Sequence, residues 1–530
     1  MENHRTVDVA ILGGGLAGNL LARQLRRQVP GLSVAIFERT TDSSFKVGES
    51  TVEIACNYFI RRLGLTKYLY ENQLPKNGLR FYFDTPEKDT DLFEMTEIGS
   101  KHLLRLPTFQ LDRARFEADL LRMNRELGVD VHTGARAHDL QMGGGPDAHH
   151  EFSVTEGDTQ TRWRCRWLVD ATGRASLIAR HLDLRTHIPD MPMSAVWGRF
   201  KGYADIDDMG PPAWRDRIQH TTRLLSTNHF CYPGYWIWFI PLGRDVMSVG
   251  WVGDQKIFHD GMRKPEGFLE FLRGHRGVWQ FLREGQAELL DVLSYKHLAY
   301  GTKRFFRGED RWFLLGEAAA FTDPFYSPGS DFIALEADFI GDMIARDAAG
   351  EPRAELADRS DTFDAFMHFR VAANLLLYRD LYSIFGSQEL MRLKWDFDIA
   401  CYYNLWAAPY MNDQHLDLRF LKGELRRKDF VLQALATFAG FFKQIERALH
   451  ERGAYYRGNV GRYIGSLELV DFMDDIFAPR PRKQVLRTTE AIFNATRDRG
   501  LALLRDIGAP FERTAQPLPL YEFMLAEPLA

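Results

Sequence analysis

A glycine-rich turn between two short apolar runs constrains the fold more than any other part of the sequence. Residues 7–12, which read VDVAIL, have the apolar and β-branched composition of a buried strand. The next six residues, GGGLAG, fit the pattern G-x-G-x-x-G and open a helical run over residues 19–27. A second apolar run over residues 34–37 is followed by Glu38, twenty residues after Gly18. This order of strand, turn, helix, strand and acid predicts a βαβ unit that binds a dinucleotide.

Each residue of this unit has a separate task in nucleotide binding. Gly13 allows a tight turn, Gly15 lets the backbone approach a pyrophosphate, and Gly18 lets the helix pack closely. Ala17 belongs to the same turn, where the helix N-terminus presents N–H groups and partial positive charge to phosphates. Glu38 is expected to accept hydrogen bonds from ribose hydroxyls. A glycine-rich turn without a ligand is the alternative interpretation.

Composition and charge exclude several classes of partner. A chain of 530 residues is long enough for two or three domains. Its net charge of −5 gives no reason to expect nucleic acid or an anionic membrane as a partner. The four cysteines are scattered without a C-x-x-C or a metal-like cluster, which predicts reduced thiols, no metal and a cytoplasmic location. No apolar run reaches about 18 residues and residues 1–6 are polar, so the sequence predicts neither a membrane span nor a signal peptide.

The turn Gly48-Glu49-Ser50 follows the second strand and adds a more specific signal. Together with the G-x-G-x-x-G and the acid, it resembles the FAD domain of flavin-dependent halogenases and their aromatic-hydroxylase relatives. The resemblance implies FAD as the cofactor, with Glu49 and Ser50 beside it. Arg113 lies in a D-R-x-x-F segment similar to the one whose arginine reaches FAD in flavin hydroxylases. A salt bridge within its own helix is the alternative role for Arg113.

Lys76 is the best match to the catalytic lysine of the halogenases. It lies shortly after the Gly-Glu-Ser turn, in a P-K-x-G setting that resembles theirs. The resemblance implies that a flavin hydroperoxide oxidises halide to hypohalous acid, and that the lysine either hydrogen-bonds this acid or becomes a haloamine. A lysine suits this role because it is a compact cation whose pKa burial can lower. Lys67 and Lys101 are weaker candidates, and a surface lysine in a turn is the alternative.

Residues 236–241, WIWFIP, match the W-x-W-x-I-P motif of the halogenases without interruption. Trp236 and Trp238 would lie on the same face of one strand, because side chains alternate along a strand. The resemblance implies that the two indoles separate the flavin from the substrate and so act in catalysis. The alternative is a sheet core in which both tryptophans only pack.

Two later segments complete the resemblance and also depart from it. Gly316 and Glu317 stand where the FAD superfamily usually has Gly-Asp, whose carboxylate binds the ribityl chain. The loop that ends at Gly329 resembles the one that carries halide on two backbone N–H groups, but Pro328 has no N–H and one donor is missing. A glutamate typical of tryptophan-specific halogenases is absent from residues 325–326, which disfavours an amino-acid substrate.

These features predict an α/β fold with an FAD-binding Rossmann-like βαβ domain, an interleaved substrate domain with an antiparallel sheet, and a C-terminal helical region. A strand that ends in D-A-T-G at residues 170–173 is typical of a return to the FAD domain. We therefore divide the chain into an FAD-binding part (residues 1–85, continued over 86–190 with a hairpin), a substrate sheet (191–300), an FAD-domain return (301–350) and helices (351–530).

The predicted function is that of a halogenase-like oxidoreductase that uses FADH2 and O2 on an electron-rich aromatic substrate, phenolic or pyrrolic, free or bound to a carrier protein. No second Rossmann motif is present, so we expect a separate flavin reductase to supply FADH2. A flavin-dependent monooxygenase that hydroxylates the ring is the main alternative, and the Pro328 departure favours it. An oxidase or desaturase is a smaller possibility. The same fold also serves as a binding module in prenyl-GTPase escort proteins, although an intact FAD site argues against that role.

Overall fold

Two large β-sheets, two small sheets and a set of long C-terminal helices make up the computed structural model, which describes residues 5–144, 149–243, 245–465 and 476–510. Each small sheet has two strands: Leu74–Lys76 pairs with Thr108–Gln110, and Arg185–His187 pairs with Tyr300–Thr302. The predicted α/β class is confirmed, with the nucleotide-binding unit in the first sheet and a largely antiparallel second sheet. Within the described residues, no helix has both the length and the apolar composition needed to cross a membrane.

The first sheet contains the predicted βαβ unit. Strand Arg5–Leu12 leads through helix Leu16–Gln28 to strand Val34–Glu38, and the two strands pair in parallel. A helical crossover on one face of the sheet is the usual way to join parallel neighbours. The sheet has eight strands, and the remaining six are Asp130–Thr133, Ala135–Gln141, His150–Glu156, Thr159–Asp170, Phe306–Arg307 and Trp312–Leu314.

The second sheet has nine strands among the described residues, and most of its neighbours are antiparallel. The strands are Leu79–Phe83, Thr96–Gly99, Met193–Lys201, Thr227–Tyr232, Tyr235–Gly243, Val246–Asp254, Glu288–Leu289, Leu293–Tyr295 and Tyr463–Ile464. The first two come from stretches that the sequence division assigns to the FAD-binding part. Leu79–Phe83 instead pairs in parallel with Thr227–Tyr232, and this long-range pairing extends the second sheet into the N-terminal part of the chain.

Six helices of eight residues or more follow the sheets, in the region where the sequence predicts helices. They are Gly329–Ala348, Arg353–Leu376, Gln388–Tyr402, Leu418–Leu425, Lys428–Glu451 and Arg482–Asp506. The shorter or earlier α-helices are Glu53–Asn57, Thr66–Asn72, Arg113–Glu126, Leu177–His181, Ile206–Met209, Pro212–Arg215, Pro265–Arg273, Arg276–Phe281 and Ala408–Met411. One continuous apolar core joins the first sheet to the C-terminal helices, so the two regions fix each other's position.

Candidate active site

The glycine-rich turn is tightly packed at Gly13 and Gly18 and open at Gly15. Gly13 has a φ of +105°, and a Cβ there would lie 2.3 Å from the Ala171 carbonyl oxygen. A Cβ on Gly18 would lie 2.0 Å from the Gly13 carbonyl oxygen. At Gly15 the nearest atom would be 3.9 Å away, on the Glu117 carboxylate. Gly13 and Gly18 are therefore required by close packing, whereas Gly15 borders the open space in which a phosphate group fits.

Glu38 lies at the end of its strand and its carboxylate is held by the turn. One oxygen accepts a hydrogen bond from the Gly14 backbone N–H at 2.7 Å. The other accepts from the backbone N–H and the hydroxyl of Thr40 at 3.0 and 2.8 Å. A carboxylate oxygen has more than one acceptor position, so these bonds orient Glu38 and leave capacity for a ribose hydroxyl.

Arg113 lies in a charged group beside the open side of the turn. Its Nε donates to the Glu117 carboxylate at 2.7 Å, which is the salt bridge within the helix that the sequence left as an alternative. Another guanidinium N–H donates to the Val47 carbonyl at 2.9 Å, and Lys46 donates to Glu117 at 2.6 Å. Burial raises the pKa of Glu117, but the two cations outweigh burial and hold it below its ordinary value. Arg113 therefore braces the loop that precedes Gly48, and together with Lys46 it neutralises the Glu117 carboxylate, which is the charged group nearest to Gly15.

Glu49 and Ser50 occupy different surroundings although they are neighbours. One Glu49 oxygen accepts from Arg199 at 2.9 Å, and the other has no partner among the described residues although it is buried. Burial raises the pKa of Glu49, and Arg199 opposes the rise. The Ser50 hydroxyl instead contacts Thr227 at 2.9 Å and accepts a hydrogen bond from Lys76. The orphaned oxygen of Glu49 is an acceptor for a bound group, whereas Ser50 positions the lysine.

The later glycine segments also converge on the turn. Gly316 has a φ of +62°, its N–H donates to the buried Glu336 at 2.5 Å, and a Cβ there would lie 3.3 Å from the Ala17 side chain. Burial raises the pKa of Glu317 against the attraction of Arg174 and Arg113. Gly329 begins the helix Gly329–Ala348, and a Cβ there would meet nothing within 4 Å. Gly316 thus packs directly on the first helix, and Gly329 borders open space.

Lys76 lines a cavity of about 520 Å³, which is large enough for an aromatic substrate. Its ammonium donates to the Ser50 hydroxyl at 2.8 Å and to the Thr51 carbonyl at 2.7 Å. Burial lowers the pKa of Lys76 from 10.5 to about 8, and Glu53 is the strongest of the groups that oppose this shift. Two of its three donors are occupied, so one N–H remains for a molecule in the cavity. Lys67, by contrast, is an exposed side chain, and neither Lys67 nor Lys101 lines this cavity.

Pro328 lines the same cavity as Lys76. It is the residue before helix Gly329–Ala348, so the loop that the resemblance assigns to halide lies at the cavity wall. Proline carries no N–H, and the departure seen in the sequence therefore occurs at a residue that faces the cavity.

Several cavity residues were not singled out from the sequence. Asp331 accepts hydrogen bonds from the Tyr402 hydroxyl at 2.9 Å and the Ala55 N–H at 2.8 Å, and burial raises its pKa to about 7. Glu53 accepts from the Tyr403 hydroxyl at 2.6 Å. Asp331 and Arg370 belong to C-terminal helices whose apolar periodicity indicates packing. The sequence signal that could have identified them is a charged residue within a largely buried helix.

Trp236 and Trp238 lie on one face of strand Tyr235–Gly243, with ring centroids 5.6 Å apart. The Trp236 indole N–H donates to the Tyr382 hydroxyl at 3.2 Å, and that of Trp238 donates to the Ser248 hydroxyl at 3.1 Å. Both are buried, and neither lines the cavity that contains Lys76. They lie in the apolar core of the protein, and their separating role remains a prediction.

Comparisons with known proteins agree with this geometry. The FAD binding domain family matches residues 6–221. The chain is 27% identical over 441 residues to the flavin-dependent halogenase chlA of Dictyostelium discoideum, covering 77% of this chain and 71% of the relative. It is 25% identical to a 1H-pyrrole-2-carbonyl-[peptidyl-carrier protein] brominase of Pseudoalteromonas luteoviolacea, covering 74% and 89%. The fold is similar to that of halogenase PltM, with a TM-score of 0.66, 17% identity and coverage of 93% and 96%.

The fold and the turn define an FAD-dependent oxidoreductase. The open space at Gly15, the positive charge of Arg113, the acid at Glu38 and the unpartnered oxygen of Glu49 fit the pyrophosphate, ribose and polar ring edge of FAD. The chain carries an FAD binding domain over residues 6–221 and is similar to flavin-dependent halogenases.

Proposed function

We propose that this protein halogenates an electron-rich aromatic substrate, phenolic or pyrrolic, with FAD, O2 and halide. The observation that carries the proposal is the position of Lys76, which is buried in the wall of an aromatic-lined cavity with one N–H donor still available. When bound in its reduced form, FAD supplies the two electrons with which O2 converts halide to hypohalous acid and water.

The task of the chain is to control where that acid reacts. We propose that the Lys76 ammonium donates its free N–H to hypohalous acid and directs the halogen to the ring. The ring forms the carbon–halogen bond and loses a proton, while the hydroxyl of the acid leaves as water. The Ser50 hydroxyl and the Thr51 carbonyl fix the ammonium during this step, and the buried site keeps water from competing.

The Trp236–Trp238 pair is proposed to shield the flavin from the substrate, and the glycine-rich turn with Arg113 is proposed to hold the pyrophosphate. The partners we propose are a separate flavin reductase and, in the cytoplasm, a free or carrier-bound aromatic substrate. The pyrrole brominase relative is named for a substrate bound to a peptidyl-carrier protein.

The direct test combines purified protein, a flavin reductase, bromide or chloride, and a panel of phenols and pyrroles, both free and carrier-bound. Mass spectrometry of the products is expected to show halogen on at least one of them, dependent on halide and on the reductase. Activity with the carrier-bound form alone would identify a tethered substrate. Oxygenated product in the absence of halide would contradict the proposal.

Hydroxylation is the second candidate, because Pro328 removes a backbone donor at the expected halide position. Replacing Pro328 with serine restores this N–H. If the new bond to the anion forms, halide affinity should improve roughly ten- to a hundredfold, as for a charge-assisted hydrogen bond. The apparent halide constant of product formation measures this gain in a halogenase, whereas a hydroxylase should not respond.

A further inference from the structure

Arg370 is a buried cation that has no hydrogen-bonded or ionic partner among the described residues. It lies on helix Arg353–Leu376, lines the cavity that contains Lys76, and has only 7% of its surface exposed. Its Nε is fully buried without a hydrogen bond, and no carboxylate among the described residues lies within 4.0 Å of its guanidinium. Buried charges in proteins are normally paired, so this arginine requires an explanation.

Another arginine on the same helix shows the ordinary arrangement. Arg359 is about equally buried, at 8%, and its Nε also lacks a hydrogen bond, but its Nη1 donates to the Asp342 carboxylate at 3.0 Å. The two residues share one helix and a similar depth, so burial alone does not account for the lack of a partner at Arg370. The difference is that Arg370 borders the cavity.

The neighbours of Arg370 fix its position without neutralising it. The guanidinium carbon lies 4.0 Å from the centre of the Trp406 ring, a cation–π distance that holds the planar group in place. The charged and titratable groups that face it are Asp331 and Tyr402, from two other helices, and they bond to each other at 2.9 Å. Burial lowers the pKa of Arg370 to about 10 against their attraction, so the cation stays charged at neutral pH.

We propose that Arg370 binds an oxyanion carried by the aromatic ring of the substrate, either a phenolate or a ring carboxylate. Its planar fork of N–H donors matches such an anion. A phenolate is also a much better target for an electrophilic halogen than the neutral phenol, so the same contact would activate the ring. Lys76 and Arg370 line one cavity, so a substrate held there can contact both. The choice of an aromatic substrate rests on the proposed function.

The test measures binding without turnover. The probes are 4-nitrophenol, its methyl ether 4-nitroanisole, and benzoate, each titrated by calorimetry into the oxidised FAD-loaded protein. The wild type is expected to bind 4-nitrophenol ten- to a hundredfold more tightly than the ether, as for a bond to a charged group, and to show the phenolate absorption band at a lower pH than in free solution. Tight binding of benzoate with equal, weak binding of the two nitro probes would identify a carboxylate as the ligand.

Arg370→Met is expected to abolish the preference for the phenol, and Arg370→Lys to keep part of it. Arg370→Met should also leave the melting temperature unchanged or raise it, because it removes an unpaired buried charge. Arg359→Met is the matched control, which should lower the melting temperature and keep the preference.

Two results would overturn the inference: no preference for either anion in the wild type, or a preference that persists in Arg370→Met. These assays need no halide, O2 or reductase. A protein that prefers the phenol but makes no halogenated product would therefore contradict the proposed function and leave the role of Arg370 intact.

Discussion

Two groups of buried cations in this molecule differ in how their charge is balanced. At the second sheet, Arg80 from strand Leu79–Phe83 and Arg223 from the loop before strand Thr227–Tyr232 share the carboxylate of Glu97, which Arg223 contacts at 2.9 and 3.0 Å. In the cavity wall, Lys76 is bonded only to neutral oxygens and Arg370 has no bonded partner among the described residues. Burial lowers the pKa values of both cavity cations, whereas Glu97 raises that of Arg80 against burial.

We infer from this difference that the cations paired with Glu97 stabilise the fold, whereas the cavity cations are available to bind a ligand. In a buried ion pair with several hydrogen bonds, the attraction between the charges offsets the free energy lost on desolvation. Removing one partner therefore strongly lowers the free energy of unfolding. A buried charge left open to a cavity reduces stability until something binds there, which is typical of functional sites. The two groups should therefore respond to mutation in opposite directions.

The largest effect is expected in the sheet. Glu97→Gln leaves two buried guanidinium groups without their shared anion and should lower the free energy of unfolding by about 3–5 kcal/mol. Asp207→Asn is the control, because Asp207 contacts Arg223 at 3.0 Å but is partly exposed and should cost less than about 1 kcal/mol. Urea unfolding followed by circular dichroism measures both. Equal stability of Glu97→Gln and wild type would contradict the assignment of this group to structure.

In the cavity, removing a charge should raise the free energy of unfolding instead of lowering it. The pKa of Lys76 falls from 10.5 to about 8 on folding, so at pH 7 the folded state bears the cost of holding its charge. Lys76→Met should therefore stabilise the protein at pH 7, by about 3–4 kcal/mol before the two lost hydrogen bonds are subtracted. The cost to the wild type fades as pH rises from about 8 to 10.5, so the advantage of the variant should disappear over that range. Urea midpoints across this pH range test it, and a destabilised variant at pH 7 would show that the bonds to Ser50 and Thr51 outweigh burial.

The smallest effect on stability is expected at Trp236 and Trp238, which are buried in the apolar core and do not line the cavity. Trp238→Phe removes the bond to Ser248 and should cost about 1 kcal/mol. If the pair shields the flavin, the folded variant should also release more hydrogen peroxide per FADH2 consumed, and a peroxide assay measures this. A folded variant with unchanged coupling would show that the tryptophans only pack.

The sequence predicted the parts of the site that depend on local spacing. The turn at Gly13, Gly15 and Gly18 and the acid at Glu38 follow from contiguous segments, and Lys76 follows from its resemblance to the catalytic lysine of the halogenases. Their functional roles remain predictions. The sequence did not predict Asp331 and Arg370 as cavity residues, because they come from different helices and meet only on folding.

The second sheet illustrates the same limit. Alternation predicts a strand at Leu79–Phe83 but not its partner, because the pairing with Thr227–Tyr232 joins segments far apart in the chain. Motifs thus fix local geometry, and the long-range contacts that assign a strand to a sheet or a charge to a cavity have to be read from the structure.

The most direct test of this account compares wild type with Lys76→Ala at equal FAD occupancy. The quantity measured is halogenated product formed per FADH2 consumed, with bromide, a reductase and the best substrate of the panel. We expect product to fall to background in Lys76→Ala, and also in Lys76→Arg, whose guanidinium differs in shape from the compact ammonium, while reoxidation by O2 stays at the wild-type rate. A Lys76→Ala variant that halogenates as well as the wild type, or a wild type that oxygenates its substrate equally with and without halide, would contradict the account.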